Sequence, residues 1–200
     1  MKRDGERGVE RPMRPPNYFV AVPLPDAVKR ELQERCGRLK DKFDYRKWTH
    51  GRDYHITLKF FGNCPPQQLR PILREVSAAV RGTPAFTLSL QGIGYFGGGG
   101  SPRVLWAGVR GELEALGRLQ SAVERAAAVL GFPPETRPYS PHVTLARQYQ
   151  GTPVPFGEQA EAWGRDWESE AWTVRSGVLY RTDFGRTPMY APVEEARFGV

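Results

Sequence analysis

An α+β fold, with antiparallel sheets covered on the outside by helices, is what the sequence predicts, and three observations predict it. Apolar runs of strand length alternate with segments of helical period, but not in the strict strand-helix-strand repeat of a doubly wound sheet. Several neighbouring strand candidates are joined too tightly for a parallel crossover. The 200 residues are 40% apolar, with Trp, Phe and Tyr in quantity, which is enough for the core of one large domain.

Taken in order, residues 1–16 mix charge, Gly and Pro with few apolar groups, and are expected to form a flexible N-terminal arm ahead of a single domain over 17–200. The compact run Tyr18 to Val22 ends at Pro23 and reads as a strand; Pro25 and Asp26 then open a helix carrying Val28, Leu32, Arg35 and Leu39. Tyr54 to Phe61 is strand-like and is closed by Gly62-Asn63. Pro65-Pro66 starts a second helix, with Leu69, Ile72, Leu73, Val76 and Val80 on one face, that stops near Gly82. Strands follow over 85–95, where Phe86, Leu88 and Leu90 alternate, and over 103–109, joined by a loop containing Gly97 to Gly100. The third helix, 112–130, places Leu113, Leu116, Leu119, Val123, Ala127 and Leu130 at helical spacing and ends at Gly131. A strand over 141–147, a Pro/Gly-rich connection, and an antiparallel pair over 171–180 and 188–193 complete the reading.

Composition narrows the function classes. No stretch approaches the roughly 20 uninterrupted apolar residues of a membrane helix, and the charged start MKRDGERGVERPMRPP has no apolar core of the signal type, so a cytoplasmic protein is expected. Only two cysteines occur, Cys36 and Cys64, neither in a C-x-x-C pair nor at metal-ligand spacing with a histidine, so free thiols and no structural zinc are expected. The formal charge is +7 and mostly arginine, whose planar fork pairs with phosphate, although these arginines are spread along the chain rather than gathered in one stripe.

The most specific signal is a recurrence. Two of the three histidines begin the same pattern, His55-Ile56-Thr57-Leu58 and His142-Val143-Thr144-Leu145. In a strand, alternate side chains share a face, so each motif offers one imidazole and one hydroxyl to a cleft while Ile56, Leu58, Val143 and Leu145 face the core. Two opposed imidazoles suit in-line displacement at phosphorus: one takes a proton from the attacking oxygen and the other delivers a proton to the leaving oxygen. The threonine hydroxyls can donate to the non-bridging oxygens, and Arg147, near the end of its strand, is a candidate to do so with full charge; Lys59 holds the nearby place after the first motif. A single His-x-Thr is usually a half-buried pair in a sheet, and it is the repetition that favours chemistry. A metal site is disfavoured because threonine is a poor ligand and His-x-His or His-carboxylate spacing is missing. His50 reads as a solvated loop residue. The glycine run lacks the Gly-Lys-Ser/Thr ending of a phosphate cradle and reads as a turn at the lip of the cleft. Phe60, Phe61 and Tyr139 lie near the motifs as possible base-stacking rings, with core packing the duty of at least one phenylalanine.

These motifs resemble those of the 2′-5′ RNA ligase family, also described as RNA 2′,3′-cyclic phosphodiesterases, within the two-histidine phosphoesterases. Tyr18 to Pro25 looks like the family's opening strand and turn, Tyr54 to Gly62 like its first signature, Pro102 to Val109 like its central strand, and Arg137 to Arg147 like its second signature. The resemblance implies a bilobal α+β fold with two sheets related by a pseudo-two-fold around a central cleft. It also implies that no metal and no nucleotide cofactor is used; a monomer is expected. The implied reaction is hydrolysis of the 2′,3′-cyclic phosphate of an RNA terminus, or of a small cyclic nucleotide, to a 2′-phosphomonoester. His55 would be the proton donor and His142 the proton acceptor, with Thr57, Thr144 and Arg147 holding the phosphate. Tyr139 stands where the family commonly has Phe, and Thr182 where serine is frequent. Two other readings stay open: reversible 2′-5′ joining of RNA ends at the same site, and a non-catalytic RNA-binding module using the basic surface.

Overall fold

The computed structural model describes residues 15–98, 101–151 and 167–199, so all but the last two residues of the expected N-terminal arm, and most of the Pro/Gly-rich connection, lie outside the described residues. The elements run β1 (Asn17–Pro23), α1 (Asp26–Lys40), β2 (Tyr45–Trp48), a 3-10 turn (Gly51–Asp53), β3 (His55–Asn63), α2 (Pro66–Arg81), β4 (Phe86–Gly98), β5 (Ser101–Gly111), α3 (Leu113–Val129), β6 (His142–Tyr149), β7 (Trp172–Val174), β8 (Ser176–Thr182) and β9 (Tyr190–Arg197). Each helix carries an apolar stripe at helical period: Val28, Leu32, Cys36 and Leu39 on α1, Ile72, Val76 and Val80 on α2, Leu116, Leu119, Val123 and Ala127 on α3, all buried. The last turn of α1 carries Arg38 and Lys40, cations that suit the negative end of the helix dipole. α2 packs on α3 and on β8 and β9, while α3 also packs on β3 and β4. The class is α+β, as expected.

Among the described residues every strand pairing is antiparallel. The sheet is strongly curled and runs β7-β4-β5-β6-β3-β1-β8-β9, with β2 added to the far end of β6. The two sheets expected from the resemblance are hydrogen-bonded into one. The half β7-β4-β5-β6 meets the half β3-β1-β8-β9 through a single residue pair, Ile56 with Val143. Both members of that pair are the apolar residue after the motif histidine, so the two motifs lie side by side at the middle of the sheet.

Three local readings change. β2 has two cations among its four residues, Arg46 and Lys47, and no apolar alternation to mark it; it forms because the end of β6 offers a free edge. β4 extends into the glycine run, where Gly97 and Gly98 are still paired to β5, so these two belong to a long hairpin, while Gly99 and Gly100 lie outside the described residues. The run 171–180 divides at Arg175. β7 pairs with β4 at one extreme of the sheet and β8 pairs with β1 and β9 near the other, a switch of neighbours that no Gly or Pro at that point announces.

Candidate active site

β3 and β6 build the site, and a bulge in each decides what faces it. Around the Ile56–Val143 rung, antiparallel register places His55 alongside Thr144 and Thr57 alongside His142, all four on one face. Farther along, β1 pairs with Thr57 and then with Lys59, passing over Leu58; β5 pairs with Thr144 and then with Ala146, passing over Leu145. The extra residue reverses the alternation. Consequently Leu58 and Lys59 are both buried, as are Leu145 and Ala146, and the next residues, Phe60 and Arg147, come back to the face of the histidines. Arg147 confirms this placement by donating from Nη2 to Thr144 Oγ1 at 3.2 Å.

The two imidazoles are held in the same way. His55 Nδ1 lies 2.6 Å from the Asp53 carbonyl, and His142 Nδ1 lies 2.8 Å from the Ser140 carbonyl, in each case two residues upstream. A carbonyl oxygen only accepts, so Nδ1 carries the hydrogen and donates. Each neutral ring therefore keeps Nε2 as a free basic nitrogen, the tautomer required to take up a proton from water or, once protonated, to hand one over.

Burial keeps these rings uncharged. Loss of solvent pushes the pKa of His55 down to about 4; the Asp53 carbonyl opposes that shift, while Arg147, Lys29 and His142 add to it. Burial lowers that of His142 as well, against the Ser140 carbonyl and with help from Arg147. The cause around His55 is an aromatic wall: Phe19 at 4.7 Å between ring centroids, Tyr190 at 5.2 Å edge-on, and Tyr180 at 6.0 Å. Around His142 it is Phe96, edge-on at 4.9 Å, with Trp106 at 6.3 Å. The Trp106 indole occupies the space over Gly94, where an added Cβ would collide with its ring.

The remaining candidates separate cleanly. Lys59 is not at the cleft: it is buried on the helix side, bound to Glu124 of α3 at 2.8 Å and to the Pro133 carbonyl at 2.6 Å. Phe60 is 57% exposed on the cleft face, whereas Phe61 is buried against Phe132, so the two phenylalanines divide as strand geometry requires. The hydroxyl that Tyr139 adds where phenylalanine is common donates to the Thr57 carbonyl at 3.0 Å, tying the second signature to the first. His50 caps the 3-10 turn, its Nδ1 accepting from Arg52 N–H. Thr182 is buried. Cys36 and Cys64 are free and buried.

Several supporting residues escape a reading of the sequence. Asp53, 4% exposed, accepts from the backbone N–H groups of Met189 and Tyr190 at 2.8 and 3.0 Å. It thereby fastens the start of β9 beside the residue whose carbonyl orients His55. Lys29 donates to the Arg52 carbonyl at 3.1 Å and adds positive potential at His55. An acidic residue two positions before the motif was the only sequence signal for Asp53, and its partners are remote in the chain.

An antiparallel α+β sheet with paired His-x-Thr motifs at its central seam is the arrangement that the resemblance to the two-histidine phosphoesterases leads one to expect. A sequence profile of the 2′-5′ RNA ligase superfamily matches residues 19–186, and the chain belongs to that family. It is 37% identical over 181 residues to a Geobacillus stearothermophilus protein named RNA 2′,3′-cyclic phosphodiesterase, a match covering 90% of this chain and 57% of that one. The chain thus spans little more than half the length of that relative. A Bacillus subtilis protein of the same name is 32% identical over 136 residues, covering 68% of this chain and 73% of its own. Among solved structures, TT0787 of Thermus thermophilus superposes with a TM-score of 0.71 at 26% identity, covering 90% of this chain and 97% of that one. The apo form of E. coli LigT gives 0.70 at 23% identity over 93% and 99% of the two chains, a likeness of fold.

Proposed function

We propose that the cleft hydrolyses the 2′,3′-cyclic phosphate at an RNA end, or of a small cyclic nucleotide, to a 2′-phosphomonoester. The observation that carries this is the matched pair of Nδ1–H to carbonyl bonds, which frees both Nε2 atoms for proton transfer. Binding alone would give no reason for such a pair. His142 Nε2 takes a proton from water as the water oxygen bonds to phosphorus; the bond from phosphorus to O3′ breaks, and His55 Nε2 delivers a proton to O3′. Thr57, Thr144 and Arg147 donate to the non-bridging oxygens as negative charge builds there. The donor and acceptor roles follow the family resemblance.

Both rings are neutral at pH 7 before substrate binds, so the proton on His55 has to enter with the anionic substrate, whose phosphate offsets Arg147. Phe60, the exposed ring on the cleft face, stacks the terminal base. We read residues 17–200 as one monomeric domain, its half-sheets related by a pseudo-two-fold, acting in the cytoplasm without metal or cofactor. No described helix is long and apolar enough to cross a membrane. The test is to supply a nucleoside 2′,3′-cyclic phosphate with chelator present and identify the product. A 2′-phosphomonoester is expected from the wild type, and turnover lower by about 10²- to 10⁴-fold in His55→Ala and His142→Ala. Undiminished turnover in either variant removes the mechanism.

A further inference from the structure

Across the β2–β6 ladder, Lys47 stands directly opposite Arg147. Directly opposed residues share a face of the sheet, so the lysine lies on the cleft side, one strand beyond the arginine. Like charges in this relation repel. Elsewhere the protein sets cations beside carboxylates, as in Lys59 with Glu124, Arg181 with Asp183 and Arg137 with Glu135. Among the described residues, neither Lys47 nor Arg147 takes part in an ion pair, and both are exposed. The arginine is turned toward Thr144, which leaves Lys47 as the next cation along the same face.

The opposite end of the cleft has another character. Because β3 and β6 are antiparallel and each carries its bulge after the motif, Phe60 and Arg147 lie at opposite ends of the row of histidines and threonines. Phe60 pairs with Phe19, so that end is aromatic, suited to a base and not to a phosphate. The Arg147 end, where two cations without a carboxylate partner among the described residues face one another, is the end suited to further negative charge.

We infer that Lys47, opposite Arg147 on the cleft face, forms a second phosphate subsite that binds the phosphodiester preceding the cyclic end of an RNA strand. This rests on the hydrolase reading and adds to it a preference for oligonucleotides over mononucleotides. The experiment compares kcat/KM for uridine 2′,3′-cyclic phosphate with that for a trinucleotide ending in the same group, in the wild type, Lys47→Gln and Lys47→Arg.

Lys47→Gln is expected to lower the ratio of trinucleotide to mononucleotide kcat/KM by about fivefold, the upper range for one exposed ion pair. It should also reduce the salt slope for the trinucleotide by about 0.7. Lys47→Arg, which keeps the charge, should restore the ratio. A Lys47→Gln ratio equal to that of the wild type, or equal losses on both substrates, overturns the subsite and leaves the hydrolase standing. A wild type that turns over neither substrate overturns both.

Discussion

The strongest quantitative consequence of the site concerns the proton on His55. In the unfolded chain this imidazole titrates near its ordinary value of 6.5, whereas burial in the folded cleft holds it at about 4. As pH falls below 6.5 the unfolded state binds a proton that the folded state refuses. The stability contributed by the neutral ring is therefore fully present above 6.5 and is lost as pH falls through about 4. Integrated between about pH 7.5 and 4.5, the loss is up to about 3 kcal/mol. Other groups also titrate there, so the wild type is compared with His55→Gln, which has no titrating ring and keeps an N–H donor for the Asp53 carbonyl. Urea unfolding of both proteins at the two pH values gives four free energies. The wild type should lose up to about 3 kcal/mol more than the variant on acidification. Equal losses would show that His55 is solvated, and the account of its tautomer and its aromatic wall would fail with it.

Arg147→Ala removes the positive charge that depresses both histidines, so the NMR titrations of both imidazoles should move to higher pH, while turnover falls by about 10²-fold or more because the phosphate loses its charged donor. Lys59→Met leaves the half-buried Glu124 without its cation and should cost about 2 kcal/mol in urea unfolding, with KM unaltered because the residue faces the helices. Gly94→Ala forces its new methyl group into the Trp106 ring; a loss of about 1–3 kcal/mol is expected, together with slower turnover through the displaced neighbour of His142.

Much of the site was legible because the motif is a period-two pattern and a strand is a period-two object. His55 with Thr57 and His142 with Thr144 could be placed on one face from spacing alone, and the three helices from their apolar stripes. What alternation could not supply was the phase after the motif. Carried forward without interruption it aims Lys59 at the cleft and Arg147, five positions after His142, away from it. The bulges at Leu58 and Leu145 invert both, and they exist only in the ladders with β1 and β5. The same holds for Asp53 and Tyr190, joined by hydrogen bonds across more than a hundred residues, and for the change of neighbours at Arg175. Such features are properties of pairing, and a lone segment carries no sign of them.

That change of neighbours also orders events during synthesis. β1 and β3 leave the ribosome early, but the strand that flanks β1 on its other side is β8, which emerges only after β7 has been made. Until then His55 lacks Tyr180 and Tyr190, and the Asp53 carboxylate has no Met189 or Tyr190 amide to hold. A nascent chain halted before β8 would carry both signature motifs in its sequence and yet lack two of the three rings that wall the first imidazole.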